Sequence, residues 1–309
     1  MKILEFENIE GFEFPSVITI GMFDGVHKGH KLMLEELKSL AKKENCKSVA
    51  ITFANHPRLV LDKSNEHNPI ELLQTSKERF AKIASTDVDY LITINFTKEF
   101  ASLSPKQFLD ALIPKINPKH LLLGYDNSFG NPNSNEFKEI CAQGYYKDIK
   151  IHQDKQGLYE GEIEISSTEV RKALKEGRVS IANTMLEEEY SIHSSVEKGF
   201  SIGRTLGFPT ANITIPQHKL VPKDGVYVTR VKIEDKLYNS VTNIGYRPTF
   251  QGKNKTIETF ILDFHQDIYA KELKLYFVDY LREERAFDNA EDLKHQIEKD
   301  VENAKKVLS

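Results

Sequence analysis

Cysteine is scarce in this 309-residue sequence, and the two that occur, Cys46 and Cys141, lie far apart and in no spacing typical of metal ligands. Both thiols are therefore predicted to be reduced. Long apolar runs are also missing, since no stretch approaches the roughly 18 consecutive apolar residues of a membrane span. The segment 1–7 lacks the apolar core of a signal peptide. We therefore expect a cytoplasmic protein with no membrane partner.

An excess of positive charge is missing as well. Lys and Arg number 42 against 46 Asp and Glu, which gives a formal net charge of −4. Such a chain has no general attraction to nucleic acid, so no nucleic-acid partner is expected. The charged fraction of 28% suits a soluble protein, and the hydrophobic fraction of 39% is enough for packed cores. The length allows about two domains.

Strand and helix patterns alternate through the first half of the sequence. The apolar run 17–20 is typical of a short buried strand, and leucines recur at helical spacing over 31–40. Ser104 followed by Pro105 is a typical helix N-terminus. Further strands are predicted at 48–53, 90–94 and 120–124, and two short strands at 149–151 and 161–165. Further helices are predicted near 77–84, 104–113 and 136–143. This alternation predicts an α/β domain with a mostly parallel sheet.

The pattern changes near residue 186, where strands begin to follow strands. The predicted strands are 190–198, 210–215, 226–233, 237–244, 257–264 and 272–280, with Gly, Asn, Asp and Pro in the connections. This order is typical of an antiparallel barrel or sandwich. A last helix, capped by Asp288 or Asn289, closes the chain. We therefore predict two domains, 1–186 and 187–309, and the lack of a flexible linker predicts that they pack closely.

The loop 21–30 follows the first predicted strand and precedes the first predicted helix. At this place in an open α/β sheet ligands bind, and a helix N-terminus offers free N–H groups to a phosphate. Gly25 and Gly29 allow a close approach of backbone and ligand. His27 and His30 share a face of the first helical turn and are candidates to donate hydrogen bonds to a phosphate during group transfer. The alternative is an ordinary turn with two exposed histidines.

A second polar motif begins at Ser166. Ser166 and Glu169 fit a capping box, and Gly177 is a typical stop for the short helix that follows. Capping alone explains the motif. The functional alternative is that hydroxyl groups, backbone N–H groups and Arg171 bind a polyphosphate, with the guanidinium pairing two oxygens at once.

A third motif, 203–212, carries two glycines, a cation, a threonine and an asparagine. Thr210 and Asn212 face the same side of an extended segment, and their oxygens suit Mg²⁺. Glu258 is an acidic residue on an otherwise apolar strand and is a candidate general base for a hydroxyl nucleophile. The alternatives are an ordinary glycine loop and a solvated strand face.

With these motifs the sequence resembles the bacterial bifunctional riboflavin kinase/FMN adenylyltransferase family, also called FAD synthetase. The resemblance runs over nearly the whole chain. It is carried, in this order, by residues 21–30, 166–171, 203–212, 243–249 and 281–287. Each motif alone is moderately specific, and the five in this order are highly specific.

The resemblance implies a Rossmann-like nucleotidylyltransferase domain followed by a riboflavin kinase domain, a six-stranded antiparallel barrel with a terminal helix. The kinase domain makes FMN and ADP from riboflavin and ATP. The first domain makes FAD and pyrophosphate from FMN and a second ATP. ATP, riboflavin and FMN are thus the implied partners and Mg²⁺ the implied cofactor, and we expect a monomer or a weak homo-oligomer.

The resemblance also implies roles for particular residues. It gives catalytic roles to His27, His30, Arg171 and Glu258, and a Mg²⁺ site at Thr210 and Asn212. Nucleotide contacts are implied for Gly21, Phe23, Asp24, Gly25, His27, Gly29, His30, Ser167, Thr168, Arg171, Gly203, Arg204 and Thr210. Flavin contacts are implied for Asp126, Phe129, Phe208 and Arg282.

The segment 124–130 departs from the family pattern, because a glutamate and the first phenylalanine are replaced while Asp126 and Phe129 are kept. One alternative is therefore a riboflavin kinase with a weakened or inactive adenylyltransferase half. Another is a flavin-binding sensor without turnover. The presence of Thr210, Asn212 and Glu258 argues against the sensor, because a pure binder needs neither a metal site nor a base.

Overall fold

The computed structural model describes residues 1–61, 70–124, 146–153, 157–197, 207–249 and 252–309. It divides into two compact units, Met1–Ser166 and Ser167–Ser309. Among the residues described, no helix is long and apolar enough to cross a membrane. The boundary at residue 186 stays a prediction. The unit that contains the barrel begins earlier, at Ser167, because the helix Val179–Leu186 packs against barrel strands and the helix Ser167–Lys175 packs against that helix.

The first unit is built on a parallel six-stranded sheet, which confirms the predicted α/β class. Its strands are β1 (Lys2–Glu5), β2 (Ser16–Ile20), β3 (Lys47–Phe53), β4 (Tyr90–Ile94), β5 (Pro118–Leu123) and β6 (Lys150–Gln153). The order across the sheet is β1-β4-β3-β2-β5-β6. The central strand β2 is flanked by β3 and β5, since Ile18 pairs with Val49 on one side and with Leu121 on the other.

Helices cover both faces of this sheet. They are α1 (Lys28–Lys43), α2 (Pro57–Leu61), α3 (Ser76–Ala84), α4 (Lys98–Ala101) and α5 (Pro105–Ile116). Leu34 and Leu37 of α1 pack on one face, and Leu109 and Leu112 of α5 pack on the other. Successive side chains of a strand point to opposite faces of the sheet. Because the strands are nearly continuous apolar runs, both faces of the sheet are apolar and both are covered by helices. Ser104 caps α5, as predicted, and it forms a capping box with Gln107.

A small hairpin follows the sheet, formed by β7 (Tyr159–Glu160) and β8 (Ile163–Glu164). The strand predicted at 161–165 therefore corresponds to its second arm. The helix predicted at 136–143 lies outside the described residues.

The second unit opens with α6 (Ser167–Lys175) and α7 (Val179–Leu186), and a closed antiparallel barrel follows. The barrel strands are β9 (Tyr190–Glu197), β10 (Thr210–Ile213), β11 (Gly225–Ile233), β12 (Lys236–Thr249), β13 (Gly252–Ile261) and β14 (Glu272–Arg282). Their order is β10-β13-β12-β11-β14-β9, and β9 pairs with β10 to close the ring. The barrel prediction is confirmed, and the sandwich alternative was wrong.

Four buried hydroxyl groups form a chain inside the barrel. Ser240 lies 2.7 Å from Thr229, Thr229 lies 2.8 Å from Thr242, and Thr242 lies 2.9 Å from Thr259. All four residues are fully buried. A hydroxyl can donate or accept, so each of the four buried groups has at least one hydrogen-bond partner.

The last helix, α8 (Ala290–Leu308), covers part of the outer face of the barrel. Of the two predicted caps, Asn289 is the one used, and its side chain accepts from the Asp292 N–H at 2.9 Å. Ala304 packs against Val226, Val228 and Val241 of the barrel.

Candidate functional sites

The loop between β2 and α1 has an unusual backbone. Phe23, Gly25 and Val26 all have positive φ, at 52°, 86° and 41°. A β-branched residue such as Val26 rarely adopts this conformation, so the surrounding contacts must impose it. Phe23 and Val26 are both fully buried, which anchors the loop in the core. The loop therefore presents a preformed backbone at the carboxyl end of the sheet.

His27 and His30 form a stacked pair at the start of α1. Their ring centroids lie 3.7 Å apart with an interplanar angle of 20°. His27 caps the helix, because its Nδ1 accepts from the His30 N–H at 3.4 Å. A Cβ at Gly29 would lie 3.3 Å from the His27 ring, so a glycine there leaves room for this cap. The alternative of two exposed histidines was wrong for His27, which is 7% exposed.

The environment of His30 keeps its imidazole neutral. Burial lowers the pKa of His30 well below its usual value, and the neighbouring His27 lowers it further. Its Nδ1 is buried and has no hydrogen-bond partner among the described residues. Phe23 packs edge-on against the ring, with the two centroids 5.3 Å apart. His30 is thus held in place with polar capacity left for a ligand.

The Asp24 side chain links the loop 21–30 to a distant segment of the chain through hydrogen bonds. It is 2% exposed, and its two oxygens accept from the N–H groups of Leu73 and Gln74, each at 3.1 Å. The fully buried Arg79 lies close enough for the Asp24 charge to favour its protonated form, while burial lowers the pKa of Arg79. Arg79 was not predicted as a site residue, since its one signal in the sequence is a cation directly after a capping box. Nucleotide contacts by the Phe23 and Asp24 side chains stay predictions.

The Ser-Ser-Thr motif opens α6 in the second unit. The helix begins at Ser167, and Val170, Ala173 and Leu174 form its buried face. Gly177, with φ 78°, ends it as predicted, since its N–H donates to the Leu174 carbonyl at 3.2 Å. The exposed side chain of Thr168 and the partly exposed side chains of Ser167 and Arg171 lie off the buried face. Their phosphate-binding role stays a prediction.

The barrel brings together the three predicted kinase residues. Asn212 of β10 pairs directly with Glu258 of β13, and Thr210 lies two residues before Asn212 on the same face. All three side chains are partly exposed. The intervening Ala211 and the facing Thr259 are buried on the interior face. An oxygen-rich cluster therefore lies on the outer surface of the barrel.

Two further residues extend this cluster. Asn243 of β12 pairs with Glu258 on its other side, so Glu258 lies between two asparagines. The Asn243 amide donates to Glu284 Oε1 at 3.2 Å. Asn243 and Glu284 belong to the motifs 243–249 and 281–287, but neither residue was assigned a role from the sequence. Asn243 lies beside Glu258 because of the register between β12 and β13, which cannot be read from the sequence.

The predicted flavin contacts have different outcomes. Phe208 packs edge-on against Phe260, with centroids 5.2 Å apart, next to Thr210. The Arg282 guanidinium is bound to Asp300 of α8, with Nη2 2.7 Å from Oδ2. A flavin contact through Arg282 therefore stays a prediction. Asp126 and Phe129 lie outside the described residues, as do Gly203, Arg204 and the rest of the altered segment 124–130 after Gly124.

Comparisons with known proteins match the two units to two families. A family model described as FAD synthetase matches residues 11–169, and one described as riboflavin kinase matches residues 186–308. A bifunctional riboflavin kinase/FMN adenylyltransferase from Bacillus subtilis is 35% identical over 297 residues, covering 95% of this chain and 93% of that protein. The Escherichia coli K12 protein of the same name is 32% identical and covers 94% and 92%.

A solved structure shares the fold. A crystal structure described as a macrolide-efflux protein from Streptococcus pneumoniae has a TM-score of 0.88 and 29% sequence identity, and the match covers 99% of each chain.

Proposed function

Because the chain belongs to the bifunctional riboflavin kinase/FMN adenylyltransferase family, we propose specific residues for each of its two reactions. The chain is an enzyme of flavin cofactor biosynthesis, which converts riboflavin to FMN and FMN to FAD. We assign FMN formation to the barrel and the adenylyl transfer to the N-terminal half. The observation that carries the kinase assignment is the direct pairing of Asn212 with Glu258.

In the kinase reaction Glu258 acts as the general base. A riboflavin hydroxyl attacks the γ-phosphorus of ATP, its proton passes to the Glu258 carboxylate, and ADP leaves. A neutral alcohol is a weak nucleophile, so a positioned carboxylate helps. The hydroxyl of Thr210 and the amide oxygen of Asn212 are hard oxygen donors on one face, which fits Mg²⁺. When bound, Mg²⁺ neutralises phosphate charge.

In the adenylyl transfer no protein nucleophile is needed. A phosphate oxygen of FMN attacks the α-phosphorus of ATP, and pyrophosphate leaves. The task of the protein is to position the reactants and to stabilise the charge that develops on the phosphate oxygens. His27 and His30 supply N–H groups at the start of α1. Ser167, Thr168 and Arg171 add hydroxyl groups and a guanidinium for the polyphosphate.

One time course tests whether the protein carries out both reactions. Pure protein is incubated with riboflavin, ATP and Mg²⁺, and the flavins are separated by chromatography and followed by fluorescence. FMN should appear first and FAD later. FMN alone would mean that the altered segment 124–130 matters and that the adenylyltransferase half is idle. Riboflavin that stays unchanged but binds tightly would support the sensor instead.

The substrates ATP, riboflavin and FMN follow from the two families. Binding of Mg²⁺, a location in the cytoplasm and a monomeric or weakly associating state stay predictions. A Mg²⁺ titration of FMN formation, with EDTA as the control, tests the metal requirement.

A further inference from the structure

Gly245 of β12 lies on the outer face of the barrel, on the same side of the strand as Asn243. Its φ is outside the left-handed region, so its backbone conformation is open to any residue. A glycine inside a strand weakens the strand, so its presence needs another reason. That reason is space, because a Cβ at Gly245 would lie 2.5 Å from Cδ and 2.6 Å from Oε2 of Glu284. The missing side chain makes room for one particular carboxylate.

The Glu284 carboxylate holds the side chain of Asn243. The Asn243 Nδ2 donates to Glu284 Oε1 at 3.2 Å. An ionised carboxylate only accepts hydrogen bonds, so it selects the NH₂ end of the amide. The carbonyl oxygen of Asn243 then points away from Glu284. Without such a partner the last torsion of an asparagine is broadly distributed. Glu284 therefore fixes which polar group Asn243 presents to a ligand.

The carbonyl oxygen of Asn243 lies next to the proposed general base. Asn243 pairs directly with Glu258 on β13. The Cβ atoms of such a pair are about 4.5–5.5 Å apart, so the two side chains can contact neighbouring groups of one ligand. Riboflavin carries hydroxyl groups on adjacent carbons of its ribityl chain, and the terminal hydroxyl receives the phosphate. A hydroxyl donates one hydrogen bond, so two neighbouring hydroxyls match two neighbouring acceptors.

The segment that carries Glu284 is bound to α8 on both sides. Before Glu284, Nη2 of Arg282 lies 2.7 Å from Oδ2 of Asp300. After Glu284, the Arg285 guanidinium donates to the side-chain oxygen of Gln296. Gln296 in turn donates to Asp300 at 2.8 Å. Glu284 therefore lies between two anchored neighbours, which limits the positions that its carboxylate can take.

We propose that Glu284 is a positioning residue of the kinase reaction and acts through Asn243. It holds Asn243 so that the carbonyl oxygen accepts from the ribityl hydroxyl next to the reacting one, and the reacting hydroxyl then lies at Glu258. The inference rests on the proposed function. The proton of the terminal hydroxyl passes to Glu258, and its oxygen bonds to the γ-phosphorus as the bond to ADP breaks. Misplacement by about 1 Å costs about 100-fold in rate, so the effect belongs in kcat.

The first test removes the acceptor. Glu284→Ala should lower the kcat of FMN formation by about 10- to 100-fold and leave the KM for ATP nearly unchanged. Glu284→Gln keeps an oxygen that accepts from Asn243 and should retain most of the activity. FAD formation from supplied FMN should be unchanged in both variants. Glu283→Ala is the matched control. It removes the neighbouring exposed carboxylate, which is bound to Lys223 at 2.9 Å, and should leave both rates unchanged.

The second test moves Glu284 without changing it. Gly245→Ala places a methyl group where the Glu284 carboxylate lies. The carboxylate is the end of a flexible side chain and moves aside, so the urea midpoint should stay close to that of wild type. The kcat of FMN formation should nevertheless fall as it does in Glu284→Ala. In the double variant Gly245→Ala/Glu284→Ala the glycine substitution should cause no further loss, because the group that it displaces is already absent.

Four results would overturn the inference. They are an unchanged kcat in Glu284→Ala, an equal loss of FMN and FAD formation, a Glu284→Gln variant as slow as Glu284→Ala, and a Gly245→Ala loss as large in the Glu284→Ala background as in wild type. If wild type made no FMN from riboflavin and ATP, the proposed function itself would fail. FMN formation that depends on Glu258 but not on Glu284 would reject only the role of Glu284.

Discussion

Asn212 and Glu258 lie directly opposite each other on β10 and β13, two neighbouring antiparallel strands of the barrel. Opposed residues in such a pair have Cβ atoms about 4.5–5.5 Å apart, so the Asn212 amide and the Glu258 carboxylate can contact the same ligand. They are separated by 46 positions in the sequence. The closed barrel keeps this spacing because both strands are paired on both sides.

Asn212→Ala should stop the first reaction and spare the second. Loss of an oxygen ligand to Mg²⁺ should lower kcat/KM for FMN formation by about 100-fold or more. FAD formation from supplied FMN should stay within about twofold of wild type. Both rates are measured by chromatography on the same preparation. Asn239→Ala, an exposed asparagine of β12, is the matched control. An equal loss of both activities in folded Asn212→Ala would reject the assignment.

Glu258→Gln should lower the kcat of the kinase reaction by roughly 10²- to 10⁴-fold, because the amide keeps the shape of the side chain but does not accept the proton. The KM for riboflavin should change little. The measurement is the initial rate of FMN formation over a range of riboflavin concentrations. Glu234→Gln replaces an exposed carboxylate that pairs with Lys271 and should have no effect. A kcat that matches wild type would exclude Glu258 as the base.

His30→Ala should abolish FAD formation and leave FMN formation intact. Removal of one preorganised donor at a developing charge costs about 10²- to 10³-fold in rate. The two reactions are assayed separately, with riboflavin or with FMN as the starting flavin. His295→Ala, on the exposed surface of α8, serves as the control. Loss of both activities to the same extent in folded protein would contradict the two-site assignment.

The lowered pKa of His30 predicts how stability depends on pH. In the unfolded chain His30 takes up a proton as the pH falls below about 6.5, whereas the folded protein keeps it neutral. The unfolded state then binds more protons, so stability decreases on acidification, by at most about 1.4 kcal/mol per pH unit for one such group. His120, whose pKa burial also lowers, acts in the same direction.

Urea unfolding of wild type and His30→Gln between pH 5 and 8 measures this effect. The midpoint of wild type should be nearly constant above about pH 7 and fall below it. His30→Gln should show a shallower decrease, and His30→Gln/His120→Gln a shallower one still. Identical pH profiles in all three proteins would show that these histidines titrate alike in the folded and unfolded states.

Asp300→Ala should destabilise the protein by about 3 kcal/mol. Arg282 is 22% exposed at its side chain and Asp300 is 5% exposed, so removal of one partner leaves the other charge largely buried. Gln296 also donates to Asp300, at 2.8 Å. Urea unfolding measures the change, and Arg282→Met/Asp300→Leu should recover most of it, because an apolar pair has no charge to bury. A double variant no more stable than Asp300→Ala would reject this account.

The periodicity of the sequence predicted both folds because most of the strands are regular and the principal helices, such as α1 and α5, are long. Leucines at helical spacing over 31–40 predicted α1, and the run of strands after residue 186 predicted the barrel. The short helices α2 and α4 were missed, since four or five residues carry too little periodicity. The eight residues of α7 were missed for the same reason, and β1 because its four residues are mostly exposed.

The candidate sites were predictable in part. Local motifs placed His27 and His30 on one helical turn and Thr210 and Asn212 on one face of a strand. Contacts between distant segments were not predictable, because no local pattern records them. The hydrogen bonds from the Leu73 and Gln74 N–H groups to the Asp24 carboxylate are one such contact. The pairing of Asn243 with Glu258 depends on strand register in the same way.

The four hydroxyl groups inside the barrel form an unbranched series, Ser240–Thr229–Thr242–Thr259. In each pair either hydroxyl can be the donor, so the series has a direction, and all members must reverse together to change it. Replacement of Ser240 at the end removes one bond and leaves this order intact. Replacement of Thr242 in the middle breaks two bonds and isolates Thr259 from the rest. Although all four residues are equally buried, we expect substitution at an end of the series to be better tolerated than substitution in its middle.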